Sequence, residues 1–124
     1  MKKLIIKTGT AEDFFARSRE VAQLADQGKP IPERCIRSFE DPADMMRLLT
    51  STRVELFRAI KSKPGSITEV SDRLHRDRSA VKRDVDALAQ AGLITVAEKV
   101  HPGHGRRKEL RVAARHISLQ AEVA

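Results

Sequence analysis

Residues 66–111 hold the pattern that most restricts how this chain can fold. They read SITEVSDRLH–RDRSAVKRDVDALAQAG–LITVAEKV–HPGHGRRK–ELR. Ser66 followed by Glu69 is a capping box that opens a short helix, with Ile67, Val70 and Leu74 on its apolar side. His75-Arg76 is a tight turn, and Asp77 caps a second helix. Val81, Val85 and Leu88 recur at i, i+4 and i+7, so they face a core. Gly92 stops that helix. Two strand-like segments follow, Leu93–Val100 and Arg107–Ala113, around a Gly- and Arg-rich loop.

Helix, turn, basic helix and a two-stranded loop make up the layout of a winged helix-turn-helix. Once Val81, Val85 and Leu88 are turned inward, Arg78, Ser79, Lys82 and Arg83 project outward from the first two turns of the second helix. Three cations at a helix N-terminus oppose the helix dipole, where a merely solvated face favours acids. A helix that reads a DNA groove accepts that small cost, because this end meets bases and phosphates. The loop cations Arg106, Arg107 and Lys108, with His104, are placed to reach neighbouring phosphates or the minor groove.

The charge distribution points the same way. The 124 residues carry 24 Lys+Arg and 17 Asp+Glu, a net +7. Residues 1–50 are net +1 and residues 51–124 net +6, so the surplus lies in the half with the helix-turn-helix pattern. A localised basic field concentrates a polyanion and speeds encounter with it. There is no Trp or Tyr and only four Phe, which argues against stacked platforms for single strands or RNA. One cysteine, Cys35, excludes an internal disulfide and fits a reducing cytoplasm. No apolar run approaches the roughly 18 residues of a membrane span, and MKKLIIKTGT is too short an apolar start for a signal peptide.

Upstream, Lys3–Thr8 reads as a strand. Thr10 with Asp13 opens a helix whose apolar stripe is Phe14, Val21 and Leu24, with Phe15 and Ala22, and Gly28 and Pro30 stop it. Cys35–Phe39 reads as a second strand, completing a β-α-β start. Asp41-Pro42 starts the next helix, with Met45, Leu48 and Leu49 following. Ser51 or Thr52 re-caps the chain for a helix with Val54, Phe57 and Ile60 inward, broken by Pro64-Gly65. The expected fold class is therefore α+β, a winged helix-turn-helix with an N-terminal β-α-β extension. Its segments are residues 1–40 as a dimerisation unit, 41–115 as the DNA-binding domain, and 116–124 as a strand or tail that docks on a partner subunit.

The run from Phe39 to about Ile94 resembles the MarR-like predicted transcriptional regulators of bacteria and archaea. The likeness is close at Arg76-Asp77, Arg83-Asp84-Val85 and Gly92-Leu93-Ile94. It implies a winged-helix fold and transcriptional control, and places Arg76, Arg78, Ser79, Lys82 and Arg83 nearest DNA. Some such regulators are antitoxin-like, which adds a cognate toxin protein as an alternative partner. Asp84 either approaches DNA or forms an ion pair with a nearby Arg, Arg83 included. The loop HPGHGRRK is more basic than the family pattern, and the first 38 residues match it only loosely.

Other chemistry has little support. His101 and His104 stand at H-x2-H spacing with no Cys or acid close by to complete a tetrahedral metal set. No Ser/His/Asp arrangement, paired-carboxylate site or phosphate-binding glycine loop is present, so neither an enzyme, a cofactor nor a metal is expected. The expectation is a cytoplasmic, homodimeric regulator of transcription, a repressor, that reads double-stranded DNA. The residues assigned to DNA are Ser66, Arg76, Arg78, Ser79, Lys82, Arg83, His104, Arg106, Arg107 and Lys108.

Overall fold

The computed structural model describes residues 3–31, 34–103 and 105–122. The chain divides into two compact units: residues 1–47 with 116–124, and residues 48–115. Within the described residues no helix is long and apolar enough to cross a membrane.

The first unit is built on β1 (Lys3–Thr8), α1 (Ala11–Asp26), β2 (Arg34–Phe39) and β5 (His116–Gln120). Its sheet has the order β2-β1-β5, and both pairings are parallel. The central strand of a parallel sheet reads as a continuous apolar run, and Leu4, Ile5 and Ile6 are all buried. The segment at 116–120 is thus the third strand of its own chain's sheet, in register with β1 from Lys3↔His116 to Lys7↔Gln120. The expectation of a last strand is met, and that strand pairs with β1 of its own chain. Backbone donors and acceptors left open on β1 are satisfied most cheaply by a strand of the same chain.

α1 begins as its sequence predicts. Thr10 is the N-cap, its hydroxyl accepts from the Asp13 amide at 3.3 Å, and the Asp13 carboxylate accepts from the Thr10 amide at 2.9 Å. That backbone hydrogen bond from Thr10 holds the Asp13 carboxyl below its ordinary pKa. A 2.8 Å hydrogen bond from Arg17 to the Ser38 hydroxyl lays the helix over the sheet face that carries Ile5 and Ile36. Only Arg17 and Leu24 are half-buried, and none of the sixteen residues is buried. The apolar stripe predicted for this helix is real in sequence, but Phe14, Phe15 and Val21 remain exposed.

α2 (Pro42–Leu48) starts at Asp41, whose carboxylate accepts from the Ala43 amide at 2.9 Å. The second unit then comprises α3 (Ser51–Ser62), α4 (Ile67–Leu74), α5 (Arg78–Gln90), β3 (Ile94–His101) and β4 (Gly105–Val112). Thr50, not Ser51 or Thr52, caps α3 through a hydrogen bond to the Arg53 amide. Its extended backbone is the conformation an N-cap needs, whereas Ser51 and Thr52 are already helical.

Three helices pack around Leu56, Ile60, Val70, Val81, Val85 and Leu88, with Leu93, Ile94 and Leu110 closing the core from the hairpin. The predicted stripe of α5 is fully buried. On α3 the inward set is Leu56, Phe57 and Ile60; Val54 is only half-buried, and Leu56 takes the buried place instead. β3 and β4 pair antiparallel over their whole length, from Ile94↔Val112 to His101↔Gly105. A single bridge joins Gly65 to Leu110, whose amide donates to the Gly65 carbonyl at 2.7 Å. It fixes the hairpin's base to the loop before α4.

Leu56 is fully buried in the second unit. Leu56→Ala should lower its unfolding free energy by about 2–5 kcal/mol, the usual cost of truncating a core Leu. Chemical denaturation followed by circular dichroism checks this; a loss no larger than that of an exposed-site control such as Glu55→Ala would contradict the packing.

Candidate nucleic-acid interface

The helix-turn-helix is set by three local devices. Ser66 caps α4, its hydroxyl accepting from the Glu69 amide at 3.2 Å. His75 closes α4 in the left-handed region with φ 53°. Asp77 caps α5, its carboxylate accepting from the Ser79 and Ala80 amides at 3.2 and 3.4 Å. A non-glycine residue in the left-handed region carries some strain. It is the sharp reversal at His75 that turns the chain from one helix into the next within three residues. Ser71 on α4 is buried, and its hydroxyl donates to the Ile67 carbonyl at 2.6 Å. The buried hydroxyl is thereby satisfied.

Asp84 lies on α5 beside the core residue Val85. Its carboxylate accepts from Arg53 Nε at 3.0 Å and from Arg76 at 2.8 Å. Arg53 also donates to the Leu48 carbonyl at 3.0 Å. All three side chains are largely covered, with 21%, 23% and 14% exposure for Arg53, Arg76 and Asp84. One carboxylate therefore ties α3, the turn and α5 together. Asp84 does pair with arginines, but they are Arg53 and Arg76 rather than its neighbour Arg83. Burial pushes the Asp84 carboxyl up, and the hydrogen bonds from Arg76 and Arg53 outweigh it, holding it below the usual carboxylate range.

The remaining assigned residues fall into two groups. Arg78, Ser79, Lys82 and Arg83 are all exposed on the first half of α5. At 100° per residue, Ser79 and Arg83 lie opposite the Val81–Val85–Leu88 stripe, with Lys82 at its flank. Lys82 reaches Asp86 at 3.3 Å, an exposed i,i+4 pair of the weak kind. Among the described residues, neither Arg78 nor Arg83 takes part in a salt bridge. On the hairpin, Arg106 lies 3.5 Å from Glu98, and Arg107 pairs with Glu69 of α4. Lys99 and Arg111 both reach Glu109, at 2.9 and 2.8 Å, and their hydrogen bonds lower its pKa. Lys108 is exposed. His104 lies outside the described residues. Glu69 is read in the sequence only as the acid of the Ser66 capping box, but its carboxylate pairs with Arg107; Glu109 was not singled out by sequence reasoning, since its partners Lys99 and Arg111 form no pattern that marks it.

The Asp84 cluster generates a pH-dependent prediction. The folded pKa of Asp84 lies below its unfolded value, so its contribution is present above about pH 4 and is lost as pH falls through the folded pKa. Asp84→Asn should destabilise the protein at pH 7 by about 1–3 kcal/mol, since two half-buried guanidinium groups lose their anion. The difference in melting temperature between the variant and the parent should shrink in acid. An equal difference at pH 7 and well below pH 4 would show that the carboxylate's charge is not what matters.

No curated protein sequence matches the chain. Several solved structures resemble it at low identity. One is a possible transcriptional regulator from Methanosarcina mazei, with TM-score 0.49 and 16% identity, covering 62% of this chain and 68% of that one. Another is the homodimeric winged helix-turn-helix DNA-binding domain of a possible ArsR-family regulator from Mycobacterium bovis, with TM-score 0.48 and 13% identity over 86% and 75% of the two chains. A third is the PcaV transcriptional regulator from Streptomyces coelicolor, with TM-score 0.46 and 24% identity over 83% and 62%. The winged-helix assignment itself rests on the helix-turn-helix, the paired hairpin and the Gly65 bridge described above. The family model HVO_A0114 matches residues 48–119, more than half of the sequence, and this chain belongs to that family.

Proposed function

We propose that this protein is a transcriptional regulator that reads double-stranded DNA in sequence-specific fashion and acts as a homodimer. In this reading α5 enters the major groove, and the β3–β4 hairpin lies along the neighbouring phosphates. The observation that carries it is the exposed first half of α5, where Arg78 and Arg83 join no salt bridge among the described residues and share one short helix segment with Ser79 and Lys82. An exposed guanidinium with no internal anion is ready to form bidentate hydrogen bonds to guanine or to phosphate. Lys82 joins them once its weak pair with Asp86 opens. Arg76 has a different role: with one terminal nitrogen on Asp84 and the other buried, it sets the angle of the turn. Ser66 sits half-buried at the N-terminus of α4, the positive end of that helix. A single winged helix covers few base pairs, and two-fold pairing doubles the sequence read.

Binding to duplex DNA should weaken steeply with salt, each phosphate contact adding about −0.9 to the slope of log affinity against log salt. A flat titration by fluorescence anisotropy would reject the DNA reading.

Arg78→Ala or Arg83→Ala should cost about 1–3 kcal/mol of discrimination between a selected site and random duplex. Arg106→Ala should weaken both alike. Selection of bound sequences from a random pool supplies the site. If Arg106→Ala relaxed specificity while both α5 variants kept it, the groove-reading element would be the hairpin.

A further inference from the structure

The apolar stripe of α1 has an internal symmetry. Ala11, Phe14, Ser18, Val21 and Ala25 recur at alternating intervals of three and four, the spacing of a coiled-coil seam, with Phe15 and Ala22 beside it. All seven are exposed, Phe14 at 56%, Phe15 at 57% and Val21 at 42%. Reversing the helix about Ser18 maps this set onto itself. Ala11 exchanges with Ala25, Phe14 with Ala22, Phe15 with Val21, and Ser18 with itself.

We propose that this α1 face is the docking surface for the α1 of a second copy of the chain, the two helices crossing antiparallel with Ser18 at the two-fold axis. The proposal rests on the homodimer reading above and assigns its interface. A two-fold contact requires a self-complementary patch, and this stripe is one in both order and volume. Each Phe14 ring meets the small Ala22 of the other copy and each Phe15 meets Val21, while Ala11 and Ala25 at the ends let the backbones approach. Parallel pairing would set ring against ring at one end and Ala against Ala at the other. The polar residue at the axis is already provided for: the Ser18 hydroxyl donates to the Phe14 carbonyl of its own helix at 3.1 Å, so covering it strands no donor. Antiparallel alignment also sets each helix's positive end beside the other's negative end. The stripe suits a copy of itself better than an unrelated partner, because an unrelated partner gives no reason for its symmetry.

The test uses the full chain. Ser18→Cys should form a disulfide-linked dimer on mild oxidation, several-fold more than the parent, whose only cysteine is Cys35, or than Glu20→Cys, which lies on the far side of α1. Phe14→Glu should shift the mass measured by light scattering from dimer towards monomer while the far-ultraviolet circular dichroism is kept. A parent dimer that survives Phe14→Glu, or one in which Ser18→Cys links no better than Glu20→Cys, overturns the α1 interface and leaves the homodimer standing. A parent chain that is monomeric at micromolar concentration overturns both, the stripe then being covered within its own chain or by another protein. A dimer that obeys these expectations but binds no duplex DNA keeps the α1 interface and removes the regulator reading.

Discussion

The carboxylate of Asp84 sits between the guanidinium groups of Arg53 and Arg76, at 3.0 and 2.8 Å. The geometry of the first half of α5 depends on it, since hydrophobic packing alone is a loose guide to helix rotation. Val81, Val85 and Leu88 hold α5 against the core, but apolar contacts tolerate sliding. A carboxylate that accepts from one arginine on α3 and another in the turn does not slide without losing both bonds. Partly buried ion pairs add modestly to net stability, because desolvation consumes much of the Coulomb energy. What they contribute is orientation. Arg53 extends the same constraint to the Leu48 carbonyl, so the start of the unit is tied into the cluster as well.

The acids of the second unit divide its cations by role. Asp84 holds Arg53 and Arg76, Glu69 holds Arg107, and Glu109 holds Lys99 and Arg111. All of these except Arg111, which pairs within β4, brace one element against another or one strand against the next. Arg78 and Arg83 stand on the exposed side of α5 without such a brace among the described residues. A net charge of +6 over residues 51–124 therefore overstates how many cations stand without an acid beside them, Arg78 and Arg83 of α5 being among those that join no salt bridge within the described residues. Hairpin cations still add to the long-range field that attracts a polyanion, since a nearby acid reduces that field without abolishing it.

Much of the second unit was legible in the sequence because its signals are local. Capping by Ser66 and Asp77, the turn at His75-Arg76 and the i, i+4, i+7 stripe of α5 each depend on residues a few positions apart. Thr50 was missed as the cap of α3 because three consecutive hydroxyl residues offer the same chemistry and only backbone conformation chooses among them. Leu56 was missed because Val54 continues the three-residue spacing of Phe57 and Ile60, while the buried arc is rotated by part of a turn towards Leu56. A pairing of Asp84 with a nearby Arg was foreseen and Arg76 provides it, but its second partner was out of reach: Arg53 is 31 positions distant, and no local pattern links a helix start to a residue in the next helix but one. The same holds for the tail, whose parallel pairing with β1 joins the two ends of the chain.

That pairing explains why the N-terminal segment is more than an arm. β1 lies between β2 and β5, so its three consecutive apolar residues are buried as the middle strand of a sheet that neither end of the chain could form alone. An isolated β-α-β segment of two strands would leave one edge of β1 open, and two strands seldom hold together in water. The family match stops at residue 119, within β5, and so includes the strand that completes this sheet but not the β1–α1–β2 segment it completes. The sheet consumes the apolar residues of β1 and leaves those of α1 outside. In the second unit the apolar stripes of α4 and α5 are spent on a closed core. In the first, the longest helix of the chain keeps its stripe in solvent, and a helix of that length with two exposed phenylalanines is more economically explained by an encounter than by the sheet it already covers.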